Sequence, residues 1–212
     1  MKDNTRDKEV SNLDGTLKDI PPGSFREEWD KLADEILKSA VIKESDEPSN
    51  QNPYFADDLI LQYEFFRKEI YEPKRVFYPC CNLDVSPIKG FPNSQVILVD
   101  NEKGLGKIMK KNGILQFTES DALTYVPERP FDLVIALNPC LSSEDLTKHL
   151  ISNGYILANN WHNNATQLVN DPNFEGVGTI ERNKTKIWLA RGIFNKLEPQ
   201  QFATYLYVFK KR

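Results

Sequence analysis

The chain is poor in the residues that mark several protein classes. It has three cysteines in 212 residues. Two of them, Cys80 and Cys81, are adjacent, so neither a disulfide framework nor a Cys-x-x-Cys zinc pair is available. Cys80, Cys81, Cys140 and His162 are chemically a zinc set, but neighbouring cysteines make poor tetrahedral ligands, and no metal is expected. No apolar run approaches the roughly 20 residues that span a bilayer. The start, Met1-Lys2-Asp3-Asn4, carries no apolar signal segment. A cytoplasmic protein with no membrane partner is expected, and the glycosylation-type triplet Asn164-Ala165-Thr166 then carries no weight. A net charge of −4 argues against a large non-specific nucleic-acid surface, gives no strong nucleic-acid signal, and is compatible with a local basic patch. There are two histidines, so few side chains can act as a neutral-pH base. Glycine is missing where nucleotide-binding chains use it most. The fragment Gly104-Leu105-Gly106-Lys107 lacks both the upstream glycine and the following Ser or Thr of a phosphate loop.

What is present is an ordinary globular composition, 40% hydrophobic and 27% charged. Its most informative stretch is Lys74 to Asp100. Two apolar runs, Val76-Phe77-Tyr78 and Val96-Ile97-Leu98-Val99, read as buried strands. The second ends in the carboxylate Asp100. Between them Ser86-Pro87 reads as a helix start, with Ser86 as N-cap and Pro87 in the first turn. Strand, turn, short helix and a second strand ending in an acid form the front half of a nucleotide-binding α/β unit.

Residues 1–24 are polar, end in Pro21-Pro22-Gly23-Ser24 and read as a flexible tail. Residues 25–73 read as a helical extension. Phe25, Trp29, Leu32, Ile36 and Leu37 recur at helical spacing behind a Ser24/Glu27 capping box. After the polar loop from Lys43 to Asn52, a second helix over Ala56–Tyr71 puts Leu59, Tyr63, Phe66 and Ile70 on one face. These helices cover the sheet or form a lid beside a ligand. Residues 74–212 read as the main domain. Its strands are expected at Arg75–Tyr78, Val96–Val99, Leu115–Thr118, Leu133–Leu137 and Tyr155–Ala158. The helices between them span Glu102–Lys111, with Gly113 as a left-handed C-cap, and Ser142 or Ser143 to about Ile151, with Gly154 beyond. A short helix at Ala165–Val169 follows. Gly176–Glu181, Lys186–Ala190 and Thr204–Lys210 complete the chain as strands, with Arg182 to Thr185 as a hairpin turn. This alternation predicts an α/β fold, a doubly wound, mostly parallel sheet with antiparallel C-terminal strands.

The layout resembles the Rossmann-like, class I S-adenosylmethionine-dependent methyltransferases over about residues 55–212. Five features in order carry the resemblance: Asp100 at the end of strand two, Ser120-Asp121-Ala122 after strand three, Phe131-Asp132-Leu133-Val134-Ile135-Ala136, Gly154-Tyr155-Ile156-Leu157, and a final antiparallel strand. The resemblance implies S-adenosylmethionine as a small-molecule cofactor. Asp100, with Asn101, would meet the ribose, and Asp121 with Ala122 the adenine. The loop from Tyr78 through Pro79, Cys80, Asn82 and Asp84 would meet the methionine end. The family's loop reads acid-x-Gly-x-Gly-x-Gly. Here no glycine is present, and Asn82 is the residue best able to turn left-handed. Two implications follow: a variant loop that still binds cofactor, or a non-catalytic binding or scaffold protein that has lost it. Some family members that methylate amino groups carry Asn-Pro-Pro-aromatic after strand four. This chain has Asn138-Pro139-Cys140-Leu141.

Ligands of open α/β sheets bind outside the carboxyl ends of the strands. Asn138 is therefore a cofactor or substrate contact, or a loop cap. Pro139, Asn160 and Trp161 are candidate substrate contacts, Trp161 by stacking or else by plain packing. His162 is the candidate general base. A nicotinamide oxidoreductase is disfavoured by the missing Gly-x-Gly-x-x-Gly. The acceptor is not legible.

Overall fold

The computed structural model describes residues 52–183, 186–191, 197 and 205–212. The expected tail, the helix over residues 25–37 and part of the expected turn at Arg182 to Thr185 lie outside them. Helix α1 (Asp57–Glu69) opens with Asp57 and Asp58 and closes with Arg67 and Lys68, charges that oppose the helix dipole at both ends. Its apolar face buries Tyr63 and Phe66 completely, with Leu59 and Ile70 packed beside them. Phe66 meets Tyr155 edge-on at 5.6 Å.

Then follow β1 (Arg75–Pro79), α2 (Ser86–Gly90), β2 (Gln95–Asp100), α3 (Leu105–Lys111), β3 (Phe117–Glu119), β4 (Phe131–Ala136), α4 (Ser143–Thr147), β5 (Leu150–Ala158), α5 (Asn164–Asn170), β6 (Phe174–Arg182), β7 (Ile187–Ala190) and β8 (Tyr205–Lys211). They form one sheet in the order β3-β2-β1-β4-β5-β8-β6-β7. Strands β1 to β5 are parallel. β8 runs antiparallel between β5 and β6, and β7 runs antiparallel to β6. Side chains alternate faces along a strand. Val76, Tyr78, Leu133 and Ile135 therefore join one core with α1, α2 and α3, while Phe77, Val134 and Ala136 join the other with α4 and α5; Phe131 joins this second core across a register irregularity before Leu133. Both faces are covered, as a parallel sheet requires.

Gly90 is set by a close approach. A Cβ there would lie 2.4 Å from Tyr63 Cβ, so α2 reaches α1 only without a side chain.

Among the described residues the expected elements are present, with four corrections. The third strand starts at Phe117 rather than Leu115, which lies exposed in a turn. Ser86 is not the N-cap of α2. Val85 takes that position, and Ser86 Oγ instead accepts from Ala56 N at 2.8 Å and donates to Asp84. The helix after β2 starts at Leu105 rather than Glu102. Asp100 Oδ1 holds the Glu102 amide at 3.0 Å in a turn, and Gly104, at φ +90°, caps the helix. The helix after β4 stops at Thr147, because Phe131 N donates to His149 O at 2.8 Å and Leu150 already pairs with Phe131. Gly154 is consequently a strand residue. Its missing Cβ makes room for the Leu150 side chain. Gly113 is left-handed as expected, at φ +75°. Among the described residues, no helix is long and apolar enough to cross a membrane.

Candidate functional site

The carboxyl ends of β1, β2, β4 and β5 gather most of the sequence-selected residues. The loop leaving β1 runs Cys80-Cys81-Asn82-Leu83-Asp84, and two of its residues have left-handed backbones, Cys80 at φ +55° and Asn82 at φ +47°. They stand two residues apart. When Tyr78 is set at the acid of acid-x-Gly-x-Gly-x-Gly, Cys80 and Asn82 fall on the first two glycines and Asp84 on the third. The loop thus follows a path usually left to glycine, and a residue with a Cβ pays roughly 1–2 kcal/mol for it. Asn carries this conformation more readily than Cys.

Contacts around the loop offset that strain. Asp100, half-buried at the end of β2, accepts from Asn82 N at 2.8 Å. Asn82 Nδ2 donates to Glu102 Oε2 at 3.1 Å. Tyr54 brackets the loop from outside, its N–H donating to Leu83 O at 2.9 Å and its carbonyl accepting from Val85 N at 3.0 Å. Asp84 does not face a ligand. It is buried, and its carboxylate accepts from Tyr78 OH at 3.1 Å, from Ser86 N at 2.9 Å and from Ser86 Oγ. Burial pushes the Asp84 carboxyl above its ordinary value, against the opposing hydrogen bonds from Ser86 and Tyr78. Burial likewise pushes the Tyr78 phenol well up, and nearby Asp84 adds to it. The Cys80 thiol is pushed up to about 11, first by burial and then by the Asp100 charge. Cys81, buried more deeply, is pushed further still.

The rim on the other side is built from asparagines. Asn138 is left-handed at φ +55°. Its N–H donates to Asn159 Oδ1 at 3.1 Å, and Asn159 Nδ2 donates back to Asn138 Oδ1. Asn160 is buried. Its Oδ1 accepts from Thr166 N at 3.0 Å and Thr166 Oγ1 at 3.1 Å, and its Nδ2 donates to Leu197 O at 3.3 Å. Pro139 is buried too. Of the substrate candidates, only Trp161 is open to solvent, 40% exposed, with its ring 6.3 Å from that of His162. His162 Nε2 lies 3.5 Å from the exposed Cys140 Sγ. The Cys80 thiol, in turn, interacts with the Cys140 backbone.

Asp121 is exposed and shapes a turn. Its Oδ1 accepts from Leu123 N at 2.8 Å, and its carbonyl accepts from Thr124 N and Tyr125 N. It lies close enough to Cys80 to raise that thiol. Ala122 is buried in the core with α4 and α5, and Asn101 is exposed. Among the described residues, no group of three His, Cys, Asp or Glu side chains is placed to hold a metal ion.

Sequence reasoning missed the pairing of Asn159 with Asn138 and the role of Asn164, whose Nδ2 holds Leu141 O at 2.9 Å. The only available signal was the density of asparagine between Asn159 and Asn164.

No protein-family model matches the sequence, and no curated protein does. Solved structures do match. The N-methyltransferase NodS from Bradyrhizobium japonicum WM9, in complex with S-adenosyl-L-homocysteine, superimposes with a TM-score of 0.50 at 13% identity, over 84% of this chain and 97% of that one. A putative O-methyltransferase from Klebsiella pneumoniae matches with a TM-score of 0.44 at 8% identity, over 88% of this chain and 98% of that one. Precorrin-6y C5,15-methyltransferase from Geobacter metallireducens GS-15 matches with a TM-score of 0.43 at 10% identity, over 81% and 97% of the two chains. With β1 to β5 parallel and β8 inserted antiparallel between β5 and β6, the chain has the fold of the class I S-adenosylmethionine-dependent methyltransferases.

Proposed function

We propose that this protein is an S-adenosylmethionine-dependent methyltransferase that has replaced the glycines of its first loop without losing their backbone path. The observation that supports the reading most is the pair of left-handed residues, Cys80 and Asn82, with the Asn82 amide held by Asp100.

The polar groups present fit such a cofactor. The Asp100 carboxylate uses one oxygen for Asn82 N and the other for Glu102 N. Each carboxylate oxygen has a further lone pair, enough to accept from the two ribose hydroxyls. Asp121 has an exposed carboxylate that can accept from an exocyclic amino group. Asp84 fits less well, since its oxygens are already occupied. The methionine end is therefore left to the backbone of Pro79 to Asn82.

The bound sulfonium supplies an electrophilic methyl group. The chain's own work is to align an acceptor with it and keep water out. The Asn138–Asn159 pair holds the loop after β4 in one conformation. Trp161 offers a face for a planar acceptor. His162 takes a proton from the acceptor where one must leave.

One observation favours the second reading, a non-catalytic protein of this fold. Cys80 and Asp84 place side chains where the family leaves glycine. Calorimetry with S-adenosylmethionine and S-adenosylhomocysteine, with NADH as control, separates the two. Micromolar binding of the first two and none of NADH supports the enzyme. Silence from both, with a folded protein, supports the binding or scaffold reading.

A further inference from the structure

A cavity lies at the other end of the sheet, where the parallel strands begin. It has a volume of about 450 Å³ and is lined chiefly by Lys74, Arg75, Arg129, Asn93, Gln95 and Asp132. Three cations meet there in a chain whose net charge is −4. Among the described residues none of the three is in an ion pair. The one acid, Asp132, is buried and turned to the backbone, accepting from Lys74 N and Arg75 N, each at 2.9 Å.

Arg75 is held in place before any ligand arrives. Its Nε donates to Gln95 Oε1 at 2.9 Å, and its Nη1 donates to Pro130 O at 3.1 Å and to Arg129 O. The guanidinium carbon sits 5.0 Å from the centre of the Phe131 ring. These contacts occupy Nε and both hydrogens of Nη1 and leave the two hydrogens of Nη2 as the remaining donors of a fixed guanidinium. Ordering an arginine normally opposes binding, and here that cost is already met by the fold. A fixed guanidinium with one nitrogen still free, flanked by two further cations, suits the clustered oxygens and greater charge of a phosphoryl group better than a lone carboxylate. The volume lies in the range of roughly 300–1,000 Å³ usual for small organic ligands, which is more than a bare ion needs.

We propose that this amino-end cavity is a binding site for a small phosphorylated molecule. Arg75 grips the phosphoryl group, Lys74 and Arg129 complete the cationic wall, and the amides of Asn93 and Gln95 face the remainder. The site is separate from the candidate methyltransferase crevice and does not depend on that reading.

Calorimetry at low ionic strength with ribose 5-phosphate, inorganic phosphate and ribose tests it. Ribose 5-phosphate should bind and ribose should not. Phosphate should bind more weakly than the ester. Equal affinity for the two would reassign the site to free phosphate and overturn the claim for an organic ligand. Lys74→Ala with Arg129→Ala changes exposed side chains only, and should lower affinity at least about tenfold. Arg75→Lys keeps the charge, loses the contacts to Gln95, Arg129 and Pro130 that fix the guanidinium, and should weaken binding by a similar factor. Lys107→Ala with Lys110→Ala, exposed lysines of α3 outside the cavity lining, should change nothing. The proposal is overturned by absence of ribose 5-phosphate binding, by binding that survives the Lys74/Arg129 double substitution, or by equal loss in the α3 control.

Discussion

The two halves of the rim at the carboxyl ends of the strands are built on different principles. On the β1/β2 side the loop closes on itself: Asp84 is spent on Tyr78 and Ser86, and Asp100 spans to Asn82. Its thiols, Cys80 half-buried and Cys81 buried, are suppressed, Cys80 to about 11 and Cys81 further. On the β4/β5 side buried amides fix the backbone, and the reactive side chains, Cys140, Trp161 and His162, face outward. One side is shaped to present backbone, the other to present side chains. That division suits a constant ligand on the first side and a variable one on the second.

Asp100→Ala should break the comparison most. It removes both the loop brace and the proposed ribose contact, so S-adenosylmethionine affinity should fall well beyond tenfold, read by calorimetry. His162→Ala should leave that affinity within about twofold and lower turnover instead. Unchanged affinity in Asp100→Ala would remove Asp100 from the cofactor site. Asn159→Ala tests the other side. It strands the Asn138 backbone N–H and side-chain Oδ1 in a partly buried position, which should cost about 1–3 kcal/mol in urea unfolding, whereas Trp161→Ala at the surface should cost less than about 0.5 kcal/mol.

Smaller effects sharpen the loop side. Because Cys80 is left-handed, Cys80→Gly should be more stable than Cys80→Ala by about 1 kcal/mol; equal stabilities would mean that the loop relaxes. Asp84 predicts a pH signature. Its native carboxyl is raised above the unfolded value, so the folded state binds the proton more tightly. Its contribution to stability is therefore greatest at acid pH and falls as pH rises through the unfolded and then the native value. Asp84→Asn should flatten that part of the profile in pH-dependent melts. The mildest test is chemical: with native protein at neutral pH, iodoacetamide should alkylate Cys140 rapidly and leave Cys80 and Cys81 slow, as read by peptide mass mapping.

Much of the fold was legible because it follows from local periodicity. Leu59, Tyr63, Phe66 and Ile70 repeat at helical spacing and do share the buried face of α1. The apolar runs at Val76 and Val96 are strands because a parallel sheet covered on both faces needs continuous apolar segments. Element ends were less legible. The helix after Ser142 looked long enough to reach Ile151, but the pairing of Leu150 with Phe131 is a contact between strands that no local pattern records. Asn82 was readable as a left-handed residue from its side chain alone. Cys80 was not, because nothing in a cysteine favours positive φ, and only the surrounding loop imposes it.

The sequence by itself determined the order of strands and helices, the two-faced core and the acid at the tip of β2. These depend on residue spacing and on short-range geometry. Tertiary structure alone decided which of the polar residues remain available. Asp84 and Asn160 were candidates by position but are consumed by neighbours. Asp100 retains free acceptor capacity, and His162 found Cys140, a residue 22 positions away. A side chain's chemistry depends on what it is hydrogen-bonded to and how far it is from water, and both are set by parts of the chain remote from it.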